Sequence, residues 1–256
     1  MQAWNLLRHS FVMLFGNFAI ALRLSAVLYA VQAIPNIYFL NFTSGVADAE
    51  LGSSPQFWLF GSVNMVILMI TGLWVAVAWH RFILSEEIPS GYIPKFHGRR
   101  MMAYFGQSVL LGLLIVAIGL ALSIGLIPIT IFLAFPLFGD LSQTYLTYIF
   151  YLLISMLCGP ILFRFSTVLP AAALGKRFTW GAAWQATKGS TGSLVLVALV
   201  LWGGLMGANE HVTNLISGNL FLLALWAIPF EWVFLMIHIS ILTTLYGHYV
   251  EKRALV

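Results

Sequence analysis

The sequence predicts an all-α, polytopic membrane protein with six transmembrane helices plus interfacial amphipathic helices. Three observations carry this. Of 256 residues, 61% are hydrophobic and only 8% are charged, against about 25% charged in a soluble domain. The apolar residues gather into runs that can cross a hydrocarbon core about 30 Å thick at about 1.5 Å per helical residue. All twelve Lys and Arg fall at the termini or in alternate connections between those runs, the pattern of the positive-inside rule.

In chain order, residues 1–22 read as an amphipathic helix in the interface. Leu7, Phe11, Leu14, Phe15, Phe18 and Leu22 recur at three- and four-residue spacing, and Trp4 is a candidate interfacial anchor. The first span is about 24–40. It holds Gln32, Pro35 and Asn36, so a kink is expected. Residues 41–56 form a polar loop. The second span, about 57–79, has Trp58 and Trp79 at its ends, as the aromatic belt requires. The third, about 103–126, carries Gly106, Ser108, Gly112, Gly119 and Ser123, small residues that let helix backbones approach in lipid. Residues 128–138 stay apolar and are expected in the outer interface. The fourth span is about 144–163, with Gly159-Pro160 near one end. Residues 164–190 read as a large basic loop with one short interfacial helix at about 179–188. There Thr179 is a candidate cap, and Trp180 and Trp184, one turn apart, are candidate anchors. The fifth span, about 193–206, is short and glycine-ended. The sixth is about 219–248.

The basic connections are the amino terminus, 80–101, 164–190 and the carboxyl terminus. The others hold Asp48, Glu50, Asp140 and Glu210 and no basic residue. Both termini are therefore expected on the cytoplasmic side of the membrane. A span miscounted by one would scatter the cations over both faces. On the basic side, Arg81, Arg99, Arg100, Lys176 and Arg177 are candidate contacts for lipid phosphates. The net charge of +4 is spread over span ends, which excludes a nucleic-acid surface. The expected partners are membrane lipids and other membrane-protein subunits.

The sixth span carries Glu231 and His238 within its apolar run. Counting back from His248 at the charged end, Glu231 lies about 25 Å outward and His238 about 15 Å. An ionised group without partners in mid-membrane costs on the order of 3 kcal/mol. Asn36 and Asn64 match the depth of Glu231, and Gln32 that of His238. Spans one, two and six are therefore expected to meet and hydrogen-bond through these side chains. Glu231 and His238 share a helix face but stand two turns apart, about 10 Å, so they cannot touch.

Catalytic signatures are absent. No HExxH, phosphate-binding glycine loop or GxGxxG is present. The six histidines lack paired helical spacing for a metal. The one adjacent acidic pair, Glu86-Glu87, reads as a solvated loop face. The single cysteine, Cys158, excludes an internal disulfide. No catalytic residue, metal or cofactor is assigned.

Three segments carry a resemblance. They are Ala78-Trp79-His80-Arg81; Leu169-Pro170-Ala171-Ala172-Ala173-Leu174-Gly175 with Ala183-Trp184-Gln185-Ala186-Thr187-Lys188-Gly189; and the ending Leu242-Thr243-Thr244-Leu245-Tyr246-Gly247-His248-Tyr249-Val250-Glu251. Together they resemble six-span inner-membrane proteins of alphaproteobacteria whose activity is uncharacterised. The Trp184–Gly189 segment is more distantly similar to the membrane domain attached to some glycerophosphodiester phosphodiesterases. The soluble catalytic barrel of those enzymes has no counterpart here. The resemblance implies topology and lipid association, not a reaction. Three functions compete: a non-enzymatic lipid-associated protein or accessory subunit of a membrane complex; a small transporter using Glu231 and His238; and a lipid head-group enzyme at the cytoplasmic face. A cavity reaching Glu231 would favour the second. A pocket gathering His80, Glu86 or Glu87, and Arg99 or Arg100 would favour the third.

Overall fold

The computed structural model describes residues 2–44, 54–129 and 143–255. Beyond its first two residues, the segment expected in the outer interface lies outside these, as do Asp48, Glu50 and Asp140. The described elements are helical: α1 Gln2–Gly16, α2 Phe18–Ser44, α3 Pro55–Ser85, α4 Gly98–Ile129, α5 Gln143–Phe165, α6 Val168–Leu174, α7 Trp180–Ala186, α8 Thr191–Ala198, α9 Gly207–Ile216 and α10 Leu220–Leu245. A π-helical segment, Leu199–Met206, joins α8 to α9, and a π-helical turn, Tyr246–Val250, follows α10. Six stretches are long and apolar enough to cross a membrane: Phe18–Phe39, Pro55–Ser85, Gly98–Gly125, Met156–Leu174, Thr191–Ile216 and Phe221–Val250.

Helix α10 is the hub. It packs against α1, α2, α3, α6 and α9, and its Trp232, Met236, Ile237, Ile241 and Leu245 are buried. Its start is fixed by Asn219, whose Oδ1 accepts from Leu222 N at 3.1 Å. Helix α3 begins similarly, with Ser54 Oγ accepting from Phe57 N and Pro55 in the first turn.

Three sequence expectations are corrected by packing. First, residues 1–22 are not one helix. The chain turns at Asn17, whose Nδ2 donates to Met13 O at 2.9 Å, and α2 starts at Phe18. The face of α1 that packs on α10 and α8 is Ala3, Leu6, Leu7, Ser10 and Leu14. Phe15, Phe18 and Leu22 point outward. The small Ala3 and Ser10 allow the close approach, so size outweighs hydrophobicity in choosing the face.

Second, the segment 164–190 is not simply a loop. Within it, α6 is buried at Val168 through Ala173 and packs against α3, α4 and α10. It is too short to span, but its three alanines are all buried. Gly175 ends it at φ 72°, the left-handed position glycine favours. Within the same segment α7 forms at the expected place, with Thr179 Oγ1 accepting from Ala182 N at 3.2 Å.

Third, the fifth span does not stop at its glycines. The π-helical segment carries the chain past Gly203-Gly204, and the helix continues to Ile216.

The glycines of α4 also behave unexpectedly. Gly106, Gly112 and Gly119 face open space, and only 6% of that span's apolar window is buried, against 67% for Met156–Leu174. Helix α4 is therefore peripheral. The close helix contact is elsewhere, at Gly159, where a Cβ would collide with that of Ala198.

The basic connections meet at one end of the bundle. Arg81 Nη2 pairs with Glu87 at 2.6 Å, and Arg81 Nη1 donates to Ala173 O. Arg23 donates to Ser90 O at 3.0 Å, and Arg253 to Leu84 O at 2.9 Å. Lys176 pairs with Glu251 at 2.7 Å. Lys95 lines a recess with Arg81, which places it at the same end as Lys176.

Candidate functional site

Two open sites stand out, at opposite ends of the bundle. The first is a cavity of about 600 Å³ between α2, α9 and α10. Each wall has a local reason to be irregular. Pro35 lies within α2 and Pro229 within α10, and each removes one backbone hydrogen bond. The third wall follows the π-helical segment, a geometry that recurs at functional sites. Most of the lining is apolar. The polar lining comprises Tyr29, Gln32, Asn36, Asn209, Thr213, Glu231 and His238.

The expected meeting of spans one, two and six occurs here. Asn36 Nδ2 donates to Glu231 Oε2 at 3.5 Å, and Asn64 Nδ2 donates to Asn36 Oδ1 at 3.4 Å. A carboxylate only accepts, so it orients both amides. The chain of donors therefore ends at Glu231, and the buried Asn64 Oδ1 is left with no partner. Gln32 is not part of this chain; its Oε1 accepts from Thr71 at 3.1 Å. Two other polar lining groups are occupied. Tyr29 donates to Ile228 O at 2.7 Å, and Asn209 Oδ1 accepts from Trp226 Nε1 at 2.9 Å.

His238 lines the same cavity but is locked. Trp202 Nε1, which can only donate, meets His238 Nε2 at 3.1 Å. Nε2 is therefore unprotonated, and the ring proton on Nδ1 goes to Phe234 O at 2.9 Å. The imidazole is held neutral with both nitrogens in use. Beyond it, α10 is closed by buried Ile241 and Leu245 and by the bond from Ser10 to Thr244.

The second site is a cleft at the basic end, about 920 Å³, between the start of α4 and the segment joining α6 to α7. Arg99, Arg100, Lys176 and Arg177 all line it. The Arg100 guanidinium lies directly over Gly175, in the space a Cβ would need. One wall is the outward face of α4, including Met102, Val109 and Leu110, all exposed. The hydrogen bond to Glu251 holds the exposed Lys176 ammonium above its ordinary pKa.

Arg81, a fifth candidate, is committed elsewhere. It shares Glu87 with His97, whose Nε2 lies 2.8 Å from the carboxylate. Burial pushes the Glu87 pKa up, but the hydrogen bonds from His97 and Arg81, with their charges, bring it below the usual value. These three residues line a smaller recess, about 280 Å³, with Lys95 and Ser90.

The pocket that would have joined His80 to Glu87 and Arg99 does not form. His80 is fully buried; its Nδ1 lies 2.8 Å from Thr243 Oγ1 and its Nε2 3.3 Å from Tyr104 OH. Thr243 spends its own proton on Ile239 O, so His80 donates to Thr243 and Tyr104 donates to His80. His80 is a packing element between α3, α4 and α10. Among the described residues, no three of His, Cys, Asp and Glu converge as metal ligands would.

The aromatic anchors divide. Trp4 is exposed on α1. Trp180 donates to Gln107 Oε1 at 2.8 Å and packs on Phe165. Trp184 stacks on the same Phe165, with the Arg164 guanidinium 4.2 Å from its ring centre. Sequence reasoning missed Arg164, Trp202, Tyr29 and Asn209. Only the rarity of such groups inside apolar runs could have flagged them. No protein-family model, curated protein or solved structure matches the chain.

Proposed function

We propose that the protein is a non-enzymatic, lipid-associated protein of the bacterial inner membrane that holds anionic phospholipid headgroups at its basic, cytoplasmic end. One observation carries the reading. Arg99, Arg100, Lys176 and Arg177 surround a single cleft whose wall continues along the exposed apolar face of α4. A phospholipid has that shape: an anionic phosphate joined to acyl chains. Each cation near an anionic surface contributes about 1 kcal/mol, and three of the four have no carboxylate in salt-bridge range among the described residues. The orientation rests on the one-sided placement of Lys and Arg.

The test is lipid retention. Protein extracted from vesicles of mixed phosphatidylglycerol and phosphatidylcholine should carry phosphatidylglycerol selectively in native mass spectrometry. Replacing Arg99, Arg177 and Lys176 together by Gln should erase the preference. Equal retention of both lipids by the unaltered protein would refute the reading.

A second reading, a small transporter, draws support from the cavity at Glu231. Against it stands the end of that cavity at His238, whose ring nitrogens are both engaged.

A further inference from the structure

We infer that the outer cavity is a binding site for an amphiphilic organic cation, an ammonium group carried on an apolar body, with Glu231 as its counter-ion. The argument is one of charge and volume. Glu231 is exposed to the cavity and brings a carboxylate to it. No Lys or Arg lines the cavity. His238 cannot serve as the cation, because Trp202 holds its Nε2 as an acceptor. The nearest donor, Asn36 Nδ2, reaches Glu231 only at 3.5 Å, long for a charge-assisted bond.

The charge is therefore unbalanced: the carboxylate has one long partner and no cation beside it. A ligand that carries positive charge and donates hydrogen bonds answers that group; an anion does not. The volume narrows the class further. About 600 Å³ falls within the range of small-molecule sites and far exceeds what a bare ion fills. The walls around the carboxylate, including Leu223, Ala227 and Phe234, are apolar, so the body attached to the ammonium is apolar too. A lipophilic cation also reaches such a site through the membrane.

The inference is independent of the basic cleft, and its test is separate. The full chain in lipid nanodiscs is titrated with octylammonium chloride and, in parallel, with octan-1-ol, with empty nanodiscs as the partition control. The expected result is saturable octylammonium binding that Glu231→Gln weakens about tenfold, the scale of one charge-assisted hydrogen bond. Octan-1-ol should bind no better to the unaltered protein than to Glu231→Gln. A second variant, Ala227→Phe, fills the cavity while leaving Glu231 in place and should also abolish saturable binding. Octylammonium binding unchanged in Glu231→Gln would overturn the proposal. So would octan-1-ol binding as tightly as the amine, which would mark an apolar groove only.

Discussion

The two ends of the bundle treat polar groups in opposite ways. Toward the basic end the buried ones are closed into packed protein by short bonds: Ser10 to Thr244 at 2.8 Å and His80 to Thr243 at 2.8 Å. In the outer half, where Tyr29 and Asn209 are bonded at 2.7 and 2.9 Å, the bonds of the chain that leads to Glu231 are 3.4 and 3.5 Å, and they border open space. A buried polar group without partners is costly, so the closed set reads as fixing helix register. The loose set retains bonding capacity for something else.

The sharpest way to break this contrast is to delete bulk at each end. Trp79 is fully buried at the basic end, and Trp79→Ala should cost about 3–5 kcal/mol. Phe230, which borders the outer cavity, has less to lose, and Phe230→Ala should cost about 1 kcal/mol or less. Thermal unfolding in detergent measures both; equal losses would erase the distinction.

A double-mutant cycle sharpens it further. Ser10→Ala with Thr244→Val should show a coupling of about 1 kcal/mol. Asn36→Leu with Asn64→Leu should show clearly less, because their bond is longer. A larger outer coupling would mean that the Asn pair is structural.

The smallest effect concerns the segment after α3. Glu87 has its pKa lowered in the folded protein, from a reference of 4.5. The tie to Arg81 and His97 therefore adds stability above that reference and loses it as pH falls through the lower folded value. Limited proteolysis of 86–97 should stay constant from neutral pH to about pH 5 and rise only on further acidification. Glu87→Gln should remove that acid step. A rise near neutral pH would point to another group.

The distribution of legibility follows the same divide. Glu231, Asn36 and Asn64 could be grouped from sequence because depth along a helix is simple arithmetic, and few polar groups share a depth. Gln32 lines the cavity with His238, as its depth predicts, but bonds Thr71 instead of the Glu231 chain. The break at Asn17 escaped notice because apolar periodicity ran through it. Helix α6 escaped because its alanines carry little hydrophobic signal, although Ala171 and Ala173 are among the most buried residues of the chain.

By itself the sequence determined the membrane class, the six spans and the gathering of Lys and Arg on one side. These depend on transfer free energies and charge, which add residue by residue along the chain. Tertiary structure alone decided that α10 is the hub, that α4 is peripheral, that His80 is sealed and that Glu231 faces a cavity. Those outcomes depend on which side chains fit against which across a bundle. That complementarity is a property of pairs distant in the chain, and no local pattern records it.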